Sequence, residues 1–346
     1  MKKIERSDKI KRALLIVLSV VLAVILVVLI VGTAYMESLL NLINKNPDNS
    51  TLSSDEYQDF LNDQMQTVDP NYTGEVVDPD DVDWDSNDDP VVDVEHIINI
   101  MLIGQDYRAG EEHQLSDAMI LCTFNTQTKE LTMTSFMRDM YVQIPGYHAN
   151  KMNAAYALGG MSLLEKCMKT NFGVYVDGFF EVDFKGFVDL IDLVGGVDIY
   201  LSNSEANYLK NNGYDVHAGL CHMNGKTALA HARNRSIGNS DFSRTERQRK
   251  VIGALLEKCR DMSLSQMKKL VEKALPMLTT DLTNRQILNY LLQIAPLMSE
   301  LKVTNQRIPA DGTFSDKFVT DIGSVLMPDL GANRKLLEDC LAKNPD

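Results

Sequence analysis

The chain has few of the residue patterns that mark metal-thiolate or hydrolase chemistry. Its five cysteines, Cys122, Cys167, Cys221, Cys259 and Cys340, form no CxxC and no Cys/His pair. This removes zinc-ribbon and thioredoxin-type readings. Most lie in apolar surroundings and read as buried free thiols; an extracytoplasmic location leaves room for one disulfide, with no pairing assigned. Also absent are the HExxH of metalloproteases, the GxSxG nucleophile elbow and the Walker A phosphate loop. His113, His148, His217, His222 and His231 show no triad spacing. There is no broad basic footprint either. The net charge is −14, from 34 Lys and Arg against 48 Asp and Glu, which argues against nucleic-acid binding.

The acidity is local. Residues 1–12 carry six basic and two acidic side chains, residues 37–96 carry seventeen acidic side chains and one Lys, and the remainder is close to neutral. Ala13 to Val31 is apolar apart from Ser19, long enough to cross a bilayer. The basic residues before it hold the N-terminus in the cytoplasm. A cleavable signal peptide would have a shorter apolar core and a small-x-small site after it, so a retained anchor is expected. The expected divisions are a cytoplasmic N-terminus (1–12), a transmembrane helix (13–35), an acidic flexible tether (36–96), a core (97–262) and a mainly helical part packed on it (263–346). The tether is Asp- and Asn-rich, with no EF-hand spacing, and reads as a solvated spacer. Asn71-Tyr72-Thr73 matches the glycosylation pattern incidentally.

From Ile97 the composition changes. Ile97 to Gly104, Ala118 to Phe124 and Leu131 to Phe136 read as buried strands, with Tyr141 to Ile144 a short one. Met161 to Phe172 and Phe184 to Val194 carry apolar residues at helical spacing, the second stopped by Gly195-Gly196. Gly178 to Val182 and Val197 to Leu201 are strand-like, and Thr245 to Arg260 is a helix. The alternation predicts a single α/β domain with a central mixed β-sheet flanked by helices. Beyond Ser263 the pattern is helical at Gln266 to Leu278, Asn284 to Ser299 and Asn333 to Ala342, with an extended piece from Val303 to Ile308.

One stretch reverses the sign of the chain. His231 to Lys250 holds Arg233, Arg235, Arg244, Arg247, Arg249 and Lys250 against Asp241 and Glu246. Arginine grips phosphate with two parallel hydrogen bonds. Arg233 and Arg235 point the same way from an extended segment, and Arg244, Arg247 and Gln248 share a helix face. The loop Ser236 to Ser240 folds the two halves together. Further polar residues stand where strands should end: Asp106 and Arg108, Asp117, and Arg138 with Asp139. Taken singly, each aspartate reads as a turn or cap residue. Together, Asp106 and Asp117 suit Mg2+ (or Mn2+), which is held by one or two carboxylates plus phosphate oxygens.

Seven blocks carry a resemblance to a known family. They are LIGQDYR (Leu102 to Arg108), SDAMIL (Ser116 to Leu121), SFMRDMYVQIPG (Ser135 to Gly146), KMNAAYALGG (Lys151 to Gly160), LVGGVDI (Leu193 to Ile199), ALAHARNR (Ala228 to Arg235) and DFSRTERQ (Asp241 to Gln248). In this order they resemble the LytR-CpsA-Psr family of membrane-anchored cell-wall enzymes. Gln105 and Tyr107 stand where Ser is commoner, and His231 where an aromatic is usual. The resemblance implies a transferase that takes an anionic or capsular glycopolymer from a polyprenyl-pyrophosphate carrier and joins it to peptidoglycan through a phosphodiester. It places the domain outside the membrane of a Gram-positive-type envelope. Asp106 and Asp117 would then hold the metal. Arg138, Arg233, Arg235, Arg244 and Gln248 would grip the pyrophosphate, with Arg108 beside them. Asp139 and Asp241 would orient the arginines, and either is a candidate to take the proton of the acceptor hydroxyl. The apolar faces of Met161–Phe172 and Phe184–Val194 would line a tunnel for the prenyl chain, although such stripes are usually core. Two other functions stay open at this point: a pyrophosphatase or phosphatase acting on lipid-linked glycan, and a non-enzymatic glycolipid-binding regulator.

Overall fold

The computed structural model describes residues 32–45, 74–82, 84, 96–105 and 116–341. Its centre is a seven-stranded mixed sheet. In spatial order the strands are β1 (Asn44–Lys45), β11 (Thr279–Thr280), β8 (Gly178–Asp183), β3 (Ile97–Gln105), β4 (Ser116–Asn125), β5 (Glu130–Phe136) and β12 (Lys302–Ile308). β4 runs antiparallel to β3 and β5, while β8 is parallel to β3 and β12 parallel to β5. The ends of β8, β3, β5 and β12 therefore lie along one edge of the sheet.

The central strands are near-continuous apolar runs because both faces are covered. Met101, Ile103, Met119, Leu121, Phe136 and Phe179 pack into one cluster with helix α2 (Met152–Phe172). Ile120, Cys122, Leu131 and Met133 pack on the other face, against Ile252 and Leu256 of helix α6 (Ser240–Arg260). Each such side chain contributes roughly 1.5–3 kcal/mol on burial. Helix α2 begins nine residues earlier than the apolar spacing suggests and continues, kinked, through the non-helical Gly159 and Gly160. It stops at Gly173, whose left-handed backbone (φ 66°) directs its N–H to the Lys169 carbonyl.

Several expectations need correction. Arg233 and Arg235 do not share an extended segment: Gly225–Arg233 forms helix α5, capped by Asn224, which accepts from the Thr227 N–H at 3.0 Å. The extended backbone begins only at Asn234. The strand β9 (Val197–Leu201) lies outside the central sheet and pairs with β10 (Gly219–Met223) in a separate ribbon. Tyr141 opens a strand of two residues, β6 (Tyr141–Val142), which pairs with β7 (Asn150–Lys151). The C-terminal part supplies strands as well as helices: β12 lengthens the sheet, and β13 (Phe314–Val319) pairs with β14 (Gly323–Pro328) as a hairpin.

Parts of the acidic segment pack on the domain. Helix α1 (residues 32–40) leads into β1, with Leu39, Leu40 and Ile43 buried. Strand β2 (Val76–Val77) joins β13, and the Trp84 ring lies 5.6 Å from that of Tyr141. The expected membrane segment, apart from residues 32–35, lies outside the described residues; among those described, no helix is long and apolar enough to cross a membrane. All five cysteines are free, and Cys122, Cys167 and Cys221 are buried.

Helix α5 starts tight against helix α3 (Phe184–Leu193). The Gly225 N–H donates to Asp192 Oδ1 at 2.7 Å, and a Cβ on Gly225 would lie 2.2 Å from the Val188 carbonyl oxygen. Gly225→Ala is expected to cost roughly 1–3 kcal/mol as the two helices part. Gly253→Ala, inside α6 with nothing within 4 Å of the new Cβ, is expected to raise stability by roughly 0.5–1 kcal/mol. Thermal unfolding of both variants checks the contrast; equal shifts would mean the α3–α5 contact is yielding.

Candidate active site

The site forms where β5 leaves the sheet. Its next residues, Arg138 and Asp139, are held from three sides. Met137 N–H donates to the Ile308 carbonyl at 2.8 Å, Asn153 N–H to that of Arg138 at 3.2 Å, and Leu326 N–H to that of Asp139 at 2.9 Å. Asp117 is the second residue of β4, at a bulge opposite Gly104 and Gln105 and three positions from Ile120, which pairs with Ser135. Its backbone thus falls at the same sheet end as Arg138. Asp106 and Arg108 lie outside the described residues, as does the side chain of Asp117. Among the described residues no group of three His, Cys, Asp or Glu is arranged to hold a metal ion.

Three arginines from three elements converge on one carboxylate. Asp241, in the first turn of α6, lies 3.7 Å from Arg138 Nη2, 3.3 Å from Arg235 Nε and 3.1 Å from Arg244 Nη1. Asp139 lies 3.4 Å from Arg138 Nε. Three guanidiniums thus face two carboxylates, leaving one positive charge in excess. Arg244 is only 3% exposed, whereas the Arg235 side chain is 44% exposed, so the group is closed behind and open in front. Gln248, one turn along α6, turns Oε1 into a buried position with no hydrogen-bond partner. Arg233 ends α5 and stacks on the Phe184 ring, 4.3 Å from its centroid.

The loop carrying Arg235 is pinned from behind by Arg247. Its Nη1 donates to the Asn234 carbonyl at 2.9 Å, its Nη2 to that of Ile237 at 2.8 Å, and its Nε to Glu205 of helix α4 (Asn203–Asn211) at 2.8 Å. Gly238 sits at φ 80°, and a Cβ there would lie 2.4 Å from Ser243 Oγ. Arg247 is therefore a structural anchor, although its spacing groups it with Arg244. His231 is buried nearby, with neither ring nitrogen hydrogen-bonded. Burial holds its pKa below the ordinary value; the Glu205 carboxylate opposes that and Arg247 reinforces it. Glu205 is also held below its ordinary value: burial works against this, and its bonds from Ser202 and Arg247 outweigh it.

Lys151 and the Tyr156–Glu181 pair were not singled out from sequence. Burial and the Arg138 charge lower the Lys151 pKa against the pull of Asp139, which sets Lys151 beside the arginine group. It opens the KMNAAYALGG block, a signal that was available. The Tyr156 hydroxyl donates to Glu181, and burial, with Asp183 adding to it, raises the Glu181 pKa. The stripe of α2 packs as core: Leu164, Cys167, Met168 and Phe172 are buried in it. In α3 only Gly186 and Ile191 are buried.

The arginine cluster stands at the carboxyl ends of the strands, where open α/β sheets take ligands, and guanidinium groups suit anions. The LytR_cpsA_psr family model matches residues 53–325, and the chain belongs to this family. Regulatory protein MsrR of Staphylococcus aureus is 30% identical over 247 residues, 70% of this chain and 74% of its own length. TagU of Bacillus licheniformis, named a polyisoprenyl-teichoic acid–peptidoglycan teichoic acid transferase, is 35% identical over 179 residues, 51% of this chain and 57% of its own. Among solved structures, B. subtilis TagV superposes with a TM-score of 0.59 at 27% identity, covering 73% of this chain and 100% of TagV. TagT bound to LIIa-WTA superposes with a TM-score of 0.59 at 25% identity, covering 72% of this chain and 92% of TagT.

The buried histidine generates a pH dependence. The unfolded chain takes up a proton on His231 near its ordinary pKa of about 6.5, while the folded protein resists it. Stability therefore falls as pH drops below about 6.5, and Glu205 adds a second loss only below its own ordinary value. In His231→Phe the first loss should vanish, so melting temperature falls less from pH 7 to 5 than that of the parent does. Parallel slopes in the two proteins would show that His231 protonates freely when folded.

Proposed function

We propose that the chain is a membrane-anchored transferase that moves a glycopolymer from a polyprenyl-pyrophosphate carrier to peptidoglycan through a phosphodiester. The observation that carries this is the meeting of Arg138, Arg235 and Arg244 at Asp241, with positive charge in excess at the strand ends. The similarity to TagU and to TagT bound to LIIa-WTA supports the same substrate class. The apolar run 13–31 is the anchor in this reading, with the domain extracytoplasmic.

Phosphoryl transfer asks the protein mainly for positioning and charge neutralisation. Arg138, Arg235 and Arg244 bind the pyrophosphate oxygens, and Gln248 and Arg108 complete the cradle. Arg233, on its Phe184 platform, meets the part of the substrate nearest α3. Asp106 and Asp117 suit a Mg2+ (or Mn2+) ion, which when bound would neutralise diphosphate charge; Asp106 follows the last residue of β3 in sequence and Asp117 is second in β4, and carboxylates fit that role by chemistry. Asp241 is engaged by three guanidiniums, and its role is to keep the arginines in place. Asp139, facing one arginine, is the better placed group to take the acceptor proton. The half-buried Leu102, Phe124 and Phe180, beside Ile252 and Leu256 on the face away from α2, offer the prenyl chain an apolar path.

Full-length protein incubated with a polyprenyl-pyrophosphate glycan, Mg2+ and peptidoglycan fragments should yield a glycan–peptidoglycan adduct. Free phosphorylated glycan would instead indicate hydrolysis, and unchanged bound lipid a regulator. Arg235→Ala should cut adduct formation by about a hundredfold or more with melting nearly unchanged, because that side chain is half exposed. Asp106→Ala, or chelation of the metal, should abolish it. A collapsed fold in Arg235→Ala would assign that residue to structure.

A further inference from the structure

At the same sheet end, on the α2 side, lies a cavity of about 300 Å3 lined by Gln105, Glu181, Asp183, Lys185 and Asp189. Gln105 ends β3, pairs with Asp183 at the end of β8, and immediately precedes Asp106. Tyr156, which donates to Glu181, lies one turn along α2 from Asn153, whose N–H holds the Arg138 carbonyl. The cavity is thus a neighbour of the arginine group, yet its charge is opposite: Asp189 and Asp183, the latter capping α3 by accepting from the Gly186 N–H, stand with Glu181, which burial biases toward its neutral acid, against one lysine. Such a lining repels a diphosphate or a polyanionic polymer. Its carboxylates, amide and ammonium suit hydroxyl groups, each of which both donates and accepts. Pro276 and Met277 supply an apolar wall for the C–H face of a sugar ring.

We infer that this cavity is the subsite for the uncharged sugar ring of the acceptor glycan, with Asp189 and Lys185 hydrogen-bonding its hydroxyls at the mouth. The assignment rests on the transferase reading for the word acceptor, and on the cavity's chemistry for the sugar. Lys185 and Asp189 form a 2.7 Å ion pair with side chains 84% and 38% exposed, so both can be replaced without unfolding the domain. The test uses full-length protein in nanodiscs, titrated with a soluble peptidoglycan disaccharide by calorimetry, alongside transfer kinetics. Asp189→Ala and Lys185→Ala should each weaken disaccharide binding, and raise the acceptor KM, by about tenfold. The donor KM should stay as in the parent. Parent protein that does not bind the disaccharide at millimolar concentration overturns the inference, as do variants that bind it normally or that raise the donor KM instead. Disaccharide binding that is lost in Asp189→Ala, in a protein that makes no adduct, leaves the cavity assigned and sinks the transferase reading alone.

Discussion

The site depends on one carboxylate shared among three guanidiniums. Arg138 comes from the end of β5, Arg235 from the loop after α5 and Arg244 from the first turn of α6. Two unit charges 5 Å apart repel by roughly 3 kcal/mol at an effective dielectric of 20, so three cations do not gather unaided. Asp241 offsets much of that repulsion, and its place in the first turn of a helix suits a negative side chain. With Asp139 included, the neutralisation remains incomplete. In the proposed reading, an arriving diphosphate relieves repulsion that the fold has already accepted, and stabilisation of charge at the site is built before the substrate enters.

Holding the arginines also requires the chain behind them to be stiff. Arg247 provides this by donating to two carbonyls of the loop that bears Arg235, with Glu205 as its counter-ion. Residues three apart on a helix differ by about 60° around the axis. For long side chains that angle is enough to send Arg244 to the site and Arg247 to the scaffold. A pair such as Arg247 and Glu205 adds little net stability against an apolar substitute. Its consequence is geometric: it sets where the loop stands, and hence where Arg235 points.

How much could be read from the sequence depends on how local each signal is. Strands β3 to β5 were legible because burial on both faces leaves long apolar runs. The clustering of Arg138, Arg235, Arg244 and Asp241 was legible as opposite charges near strand ends, with the seven family-like blocks supporting it. Arg233 was read as extended from its period-2 spacing with Arg235, and helix α5, which Arg233 ends, was not read from the sequence. The partner of Arg233 was not legible: Phe184 is remote along the chain, and nothing local to either residue announces the stack. The edge strand β12 is half exposed and polar, so it lacks the pattern of a core strand. Leu39, Leu40, Val76, Val77 and Trp84 are apolar islands too short to change the composition of an acidic segment, yet long enough to pin parts of it to the domain.

The two polar regions at the strand ends differ in sign, and that difference constrains how a transferase of this kind can work. In the proposed reading a donor carrying a diphosphate and an anionic polymer is drawn to the arginines, and an acceptor glycan presents neutral hydroxyls. If both subsites were basic, the polymer would occupy either one, and its reactive end would compete with its own repeats. The carboxylates of Glu181, Asp183 and Asp189 make the second region unfavourable for any phosphate. Exclusion by like charge is the cheaper form of selectivity here, because it needs no fitted contact with the polymer it rejects.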